Sequence, residues 1–269
     1  MSLILQMLLL FLLGYFVLVL FMYLRQEAFL FFPTSATHEV SGYGNVLPYS
    51  LKRGEITVSG WLVNPDYLRE SLVIYYGGNA EDVYLNVDEF EALQAATLFV
   101  AYRGYGPSGG QPAEADIFAD ALAIYDDIKS RYKSQKTYLM GRSLGSGVAC
   151  YVASKRKVDG TILVTPYDTL VAVAKTAYPW LPVSQLLKHR FSSIDYVRNV
   201  KSPFLVLYGG RDQIVRPERT RRLLDYIRSD QEAVLIEKGD HGTIDMYPEY
   251  WRHILAFINR GEAAQERER

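Results

Sequence analysis

Residues 3–24 read LILQMLLLFLLGYFVLVLFMYL, an apolar run without a charged side chain or a polar face. At 1.5 Å of rise per helical residue, the run is long enough to cross a hydrocarbon layer of roughly 30 Å. The pattern predicts a membrane helix, interrupted only by Gln6 and Gly14 and bounded at its far interface by Arg25. A cleaved signal peptide would need a basic leading segment and a small-x-small cleavage site, and neither is present. A buried soluble helix would leave some polar face, and this run has none.

After Pro33 the pattern changes. Short β-branched or aromatic runs alternate with longer segments whose apolar residues recur at helical spacing. The runs 56–63, 71–78, 96–106, 136–143, 160–166, 203–210 and 233–239 predict strands. Segments 80–95, 113–132, 144–156, 217–228 and 248–260 predict helices, the clearest being 113–132 with Ile117, Ala121, Ile124 and Ile128 on one stripe. Most of the strand runs lack a polar side. Such strands, alternating with helices, indicate a mostly parallel sheet covered on both faces, an α/β architecture. Right-handed crossovers then bring the C-terminal ends of the strands to one edge. Residues 167–202 contain YPWLPV, too proline-rich for a regular element, and are expected to form a short helical insertion over that edge. The expected organisation is an anchor at 1–25, one α/β domain at 26–260 and a solvated polar tail, GEAAQERER, at 261–269.

Charge and composition narrow the chemistry. The 269 residues carry 29 basic and 30 acidic side chains for a net charge of -1, and Lys and Arg are scattered, so no nucleic-acid surface is indicated. One cysteine, Cys150, excludes an internal disulfide. Four histidines and that cysteine show no metal-ligand spacing, so no metal is expected.

The segment GRSLG at 141–145 fits Gly-x-Ser-x-Gly between an apolar strand, TYLM, and a small-residue helix, GSGVACYVAS. Ser143 there would sit on a strained turn that flanking side chains would obstruct, which makes it the candidate nucleophile. The other reading of the motif is a glycine-rich turn with a capping serine. A serine hydroxyl needs a base. His38 follows the anchor, His189 lies in the insertion and His253 lies inside the last helix. Only His241, in EKGDHGT, lies directly beyond an apolar strand. The acid orienting it is expected at another strand end, and Asp212 in GGRDQIV is favoured over its rival Asp168 in TPYDT. Asp240 is too close to the histidine in sequence to reach around its ring. Ser143, Asp212 and His241 occur in the order Ser, Asp, His. Oxyanion donors are assigned to the backbone N–H groups of Leu144 and of Asn79 in YYGGNAED, although the paired glycines also fit a plain strand-to-helix turn.

Together these segments resemble the α/β-hydrolase superfamily over about residues 30 to 260. They are most similar to its abhydrolase branch of bud-emergence-type and serine depalmitoylase-like hydrolases, which commonly carry an N-terminal membrane segment. The branch's GRSLG block stands unchanged at 141–145, its YRGYGxSxG block spans Tyr102 to Gly110, and Lys-Ser-Pro leads into the strand at 203. The resemblance places the family acid on Asp212 and the family histidine on His241. It implies a metal-free, cofactor-free serine hydrolase acting on esters or thioesters through an acyl-enzyme. Two departures stand out: Gly77 where the branch usually has an oxyanion-loop histidine, and Arg216 where many relatives have proline.

The expected partner is an acyl substrate, small or lipid-like, at a membrane entered by residues 3–24. Tyr167, Tyr178, Trp180 and Phe191 are expected to form an aromatic rim. Arg25, Lys52 and Arg53 follow the anchor, so the positive-inside rule favours a cytoplasmic domain. Two alternatives stay open. One is a serine peptidase on the same fold, with Arg103 or Arg142 holding a peptide terminus; the other is a catalytically silent membrane scaffold.

Overall fold

Strands β3 (Ser71–Tyr76), β4 (Ala96–Val100), β6 (Gly160–Val164) and β7 (Phe204–Gly209) are buried at every position, which is why their sequences carry no polar face. The computed structural model describes residues 2–35 and 45–266. With β1 (Val46–Arg53), β2 (Ile56–Val63), β5 (Lys136–Arg142) and β8 (Gln231–Ile236), these strands form an eight-stranded sheet in the order β1-β2-β4-β3-β5-β6-β7-β8. β2 pairs antiparallel with β1 and β4, and every other pairing is parallel.

Alternation along β3 divides the interior in two. Leu72, Ile74 and Tyr76 join one core with Ile117, Ile124, Val148 and Val152, from helices α4 (Glu114–Arg131) and α5 (Leu144–Lys155). Val73 and Tyr75 join the other with Phe90, Ile254 and Phe257, from α3 (Val87–Phe90) and α10 (Pro248–Glu266). Each such side chain, taken fully out of water, stabilises the fold by about 1.5–3 kcal/mol before entropy is counted.

The structure differs from the sequence pattern at four places. β1 was not expected; it is an edge strand with alternating exposure, and Pro48 fits there because an edge leaves some N–H groups without a ladder partner. Residues 80–95 form a 3₁₀ turn at Val83–Asn86 followed by the single turn of α3, not one long helix. The Asn64 amide donates to the carbonyls of Phe90, Glu91 and Leu93 and so ends the helix there. β4 stops at Val100 because the following residues turn, with Gly104 and Gly106 at positive φ. Finally, α10 runs beyond residue 260 to Glu266, into the expected tail.

The membrane-type helix α1 (Leu3–Leu24) has no buried residue, and one more turn, α2 (Gln26–Leu30), joins it to the domain. The insertion is built from α6 (Leu170–Ala177), α7 (Val183–Leu186) and α8 (Ser193–Val197), and α9 (Pro217–Leu224) follows β7. After β3 the chain moves outward to β4, then returns across β3 to β5. The crevice beyond the carboxyl ends of β3 and β5 is therefore a topological switch point, where ligands gather in open α/β sheets.

Candidate active site

Ser143 is the single residue between β5 and α5, and its backbone has φ 49° and ψ −115°. The flanking glycines make this turn possible. A Cβ on Gly141 would lie 2.3 Å from the Gly145 carbonyl oxygen, and one on Gly145 would lie 1.9 Å from that of Tyr76. α5 can thus start directly against the end of β3. The Ser143 N–H is tied to Val164 O at 2.9 Å, so the turn is held from the neighbouring strand as well.

The structure brings three of the expected residues together. His241 Nε2 lies 2.9 Å from Ser143 Oγ, and His241 Nδ1 lies 2.7 Å from Asp212 Oδ2. An ionised carboxylate only accepts, so Nδ1–H donates to Asp212 and Nε2 is left to accept from the serine hydroxyl. Asp212 is 1% exposed, and its other oxygen accepts the N–H groups of Ile214 (2.9 Å) and Val215 (2.8 Å). The carboxylate is therefore fixed before it meets the imidazole. Asp168 faces elsewhere, toward Arg219 at 3.2 Å and Arg222 at 3.5 Å. Asp240 accepts from the N–H groups of Gly242 and Thr243 within its own loop.

Arg142 holds the histidine loop in place: it pairs with Asp245 at 2.8 Å and donates to the His241 carbonyl at 3.2 Å. Arg103 pairs with Asp116 and Asp120. Both arginines weighed for a peptide terminus are thus already engaged. Of the remaining histidines, His189 and His253 lie away from Ser143, the latter against Glu232, and His38 lies outside the described residues. Cys150 is buried, and burial pushes its thiol pKa far up, which leaves it inert as a nucleophile.

Gly78, Asn79, Ser143, Leu144 and His241 line one cavity of about 550 Å³. The side chain of Asn79 is committed: Oδ1 accepts from Tyr105 OH (2.8 Å) and the Phe32 N–H (3.2 Å), and Nδ2 donates to Leu30 O. Only its backbone is left for a substrate oxygen. Of the expected aromatic rim, Tyr167 lines this cavity, whereas Phe191 is fully buried in the core, and Tyr178 and Trp180 lie beside α1.

Sequence reasoning missed Glu81, which accepts from the Gly78 N–H, Tyr75 OH and Asn86 Nδ2. It stands three residues after Gly78, the spacing at which a side chain reaches back to cap a turn, and that was the available signal. Together with a hydrogen bond from Tyr102 OH to Gly77 O at 2.8 Å, it braces the loop where the resemblance leads one to expect a histidine. The loop has no room for that histidine, because a Cβ at Gly77 would lie 2.4 Å from Val83 Cγ1. Gly77→His is therefore expected to destabilise the fold by about 1–3 kcal/mol through overpacking. Adding Val83→Ala should recover part of that loss, as thermal unfolding of both variants would measure; a Gly77→His protein as stable as the parent would refute the packing argument.

Comparison with known proteins agrees with this geometry at the level of fold. A family model described as an alpha/beta hydrolase domain matches residues 111–246. The chain is 29% identical over 234 residues to an uncharacterized protein of Mycobacterium tuberculosis, covering 83% of each. It is 28% identical over 227 residues to an uncharacterized membrane protein of Saccharomyces cerevisiae, covering 79% of this chain and 80% of that one. Among solved structures it is similar to the Pyrococcus furiosus esterase Pf2001, with a TM-score of 0.70 and 20% identity, over 85% of this chain and 98% of that one.

Proposed function

The chain belongs to the alpha/beta hydrolase domain family, whose fold and members point to hydrolase activity, and from that premise we propose that it is a membrane-anchored serine hydrolase of carboxylic esters or thioesters. The observation that carries this reading is the single imidazole of His241, within hydrogen-bond reach of Ser143 Oγ on one side and of Asp212 on the other.

In the proposed reaction His241 Nε2 takes the Ser143 proton as Oγ bonds to the acyl carbon. The backbone N–H groups of Leu144 and Asn79 receive the developing oxyanion, a contribution on the order of 3 kcal/mol for each donor. The carbon–oxygen or carbon–sulfur bond to the leaving group then breaks, and Nε2 returns the proton to that group. Water, deprotonated by the same nitrogen, releases the acid and restores the serine. Asp212 orients the imidazole and stabilises its charged form.

Ester or thioester cleavage is preferred to peptidase action because Arg103 and Arg142 are both occupied by carboxylates. The GRSLG, YRGYG and Lys-Ser-Pro segments support placement in the bud-emergence-type and serine depalmitoylase-like branch. α1 is long and apolar enough to cross a membrane. We assign residues 3–24 to a single-pass anchor and the hydrolase domain, from residue 26 with its insertion at 167–202, to the cytoplasmic face, on the charges of Arg25, Lys52 and Arg53. Full-length protein in phosphatidylcholine vesicles should hydrolyse p-nitrophenyl butyrate and be labelled by a fluorophosphonate at Ser143. Folded protein that shows neither would overturn the assignment.

A further inference from the structure

The chain leaves the membrane-type helix with little slack. Arg25 alone separates α1 from α2, α2 ends at Leu30, and Phe31 after it has extended backbone. Side chains alternate along an extended segment. Phe31 is buried in the core, edge-on to His189 and Phe191, whereas Leu30 and Phe32 line the cavity that holds Ser143. Further on, Thr34 O accepts the Gly106 N–H at 2.8 Å and fixes the far end. A stretch of chain adjoining the membrane-type helix thus forms part of the wall of the site.

The same segment grips the loop after β3. Asn79 Nδ2 donates to Leu30 O, and Oδ1 accepts the Phe32 N–H at 3.2 Å, so the amide pairs with main chain much as a neighbouring strand would. Tyr105 OH, on a ring buried against Tyr102, donates to the same Oδ1 at 2.8 Å. An asparagine side chain has only two torsions, so an amide held from two segments leaves its own main chain little room to move. That main chain carries a free donor. The Gly78 N–H is taken by Glu81, whereas the Asn79 N–H has no acceptor among the described residues. A donor held at the cavity wall before charge develops is what oxyanion stabilisation requires.

We infer that the Asn79 side chain is a positioning residue for the oxyanion donor and that Leu30–Phe32 is the support it is held against. The segment joining the membrane-type helix to the domain is then a working part of the catalytic site as well as a tether. The inference rests on the hydrolase reading above and adds the device that aims the Asn79 N–H. Acting through that N–H, the side chain affects the transition state, where the substrate oxygen is charged, far more than the bound ground state.

The test uses full-length protein in phosphatidylcholine vesicles with p-nitrophenyl butyrate, and thermal unfolding to show that each variant is folded. Asn79→Ala should lower kcat by about a hundredfold, the scale of a misaimed donor, with KM changed by less than about twofold. A second pair of variants isolates the support. Phe32→Pro removes the N–H that donates to Oδ1, and the extended backbone of Phe31 accommodates a following proline. Phe32→Ala loses the same ring and keeps the N–H. The kcat of the proline variant should lie about fivefold below that of the alanine variant, the scale of one hydrogen bond. This comparison serves if Asn79→Ala does not fold. A folded Asn79→Ala with kcat within about twofold of the parent, or a loss confined to KM, would overturn the proposal. So would equal kcat in the two Phe32 variants. If the parent protein leaves the ester uncleaved, the hydrolase reading itself fails and this inference goes with it.

Discussion

Ser143→Ala is expected to lower kcat toward p-nitrophenyl butyrate by on the order of 10⁶-fold while leaving the fold intact. The fold should survive because the turn is held by backbone rather than by the hydroxyl. The Ser143 N–H bonds Val164 O, and Gly141 and Gly145 leave the space that α5 occupies. What disappears is the atom 2.9 Å from His241 Nε2. His241→Ala should cost a similar factor, and the double variant little more, because the proposed mechanism uses the two groups in one proton transfer. Kinetics on all three proteins, with thermal unfolding to show that each is folded, provide the check. A loss below about a hundredfold in folded Ser143→Ala would move the chemistry away from this residue.

How far this site was readable in advance depends on the range of the interactions that build it. Ser143 was legible because the steric need of the turn is written in adjacent glycines, and His241 because it alone among the histidines follows an apolar strand. The central strands were legible because burial on both faces removes every polar position from β3, β4, β6 and β7. β1 was not, since its half-exposed edge mixes Pro48, Lys52 and Arg53 with apolar residues. The end of α3 was hidden for a different reason: the groups that stop it come from Asn64, more than a turn of chain away and in a left-handed backbone conformation. The bond joining Leu30 O to the Asn79 side chain links residues 49 apart, and no local pattern announces it. Local sterics and burial leave their mark on neighbouring residues, whereas polar contacts between distant segments leave none.

The choice between two acids supplies the second large effect. Asp212→Asn is expected to lower kcat by on the order of 10⁴-fold with little change in KM. An asparagine still fills the site and still accepts from the Ile214 and Val215 N–H groups through its carbonyl oxygen. Its amide would then face His241 Nδ1 as a donor and force the proton onto Nε2, the nitrogen that must accept from Ser143. The serine would remain in place with no base to activate it. Asp168→Asn tests the rival under matched chemistry. There the carboxylate neutralises Arg219 and Arg222 and accepts from the Thr169 N–H, so its loss should show as reduced stability of about 1–3 kcal/mol and only a modest change in rate. Fluorophosphonate labelling rates separate the two independently of substrate binding: they should collapse in Asp212→Asn and persist in Asp168→Asn. The reverse pattern would transfer the orienting role to Asp168 and require the 2.7 Å contact between His241 and Asp212 to be unimportant for turnover.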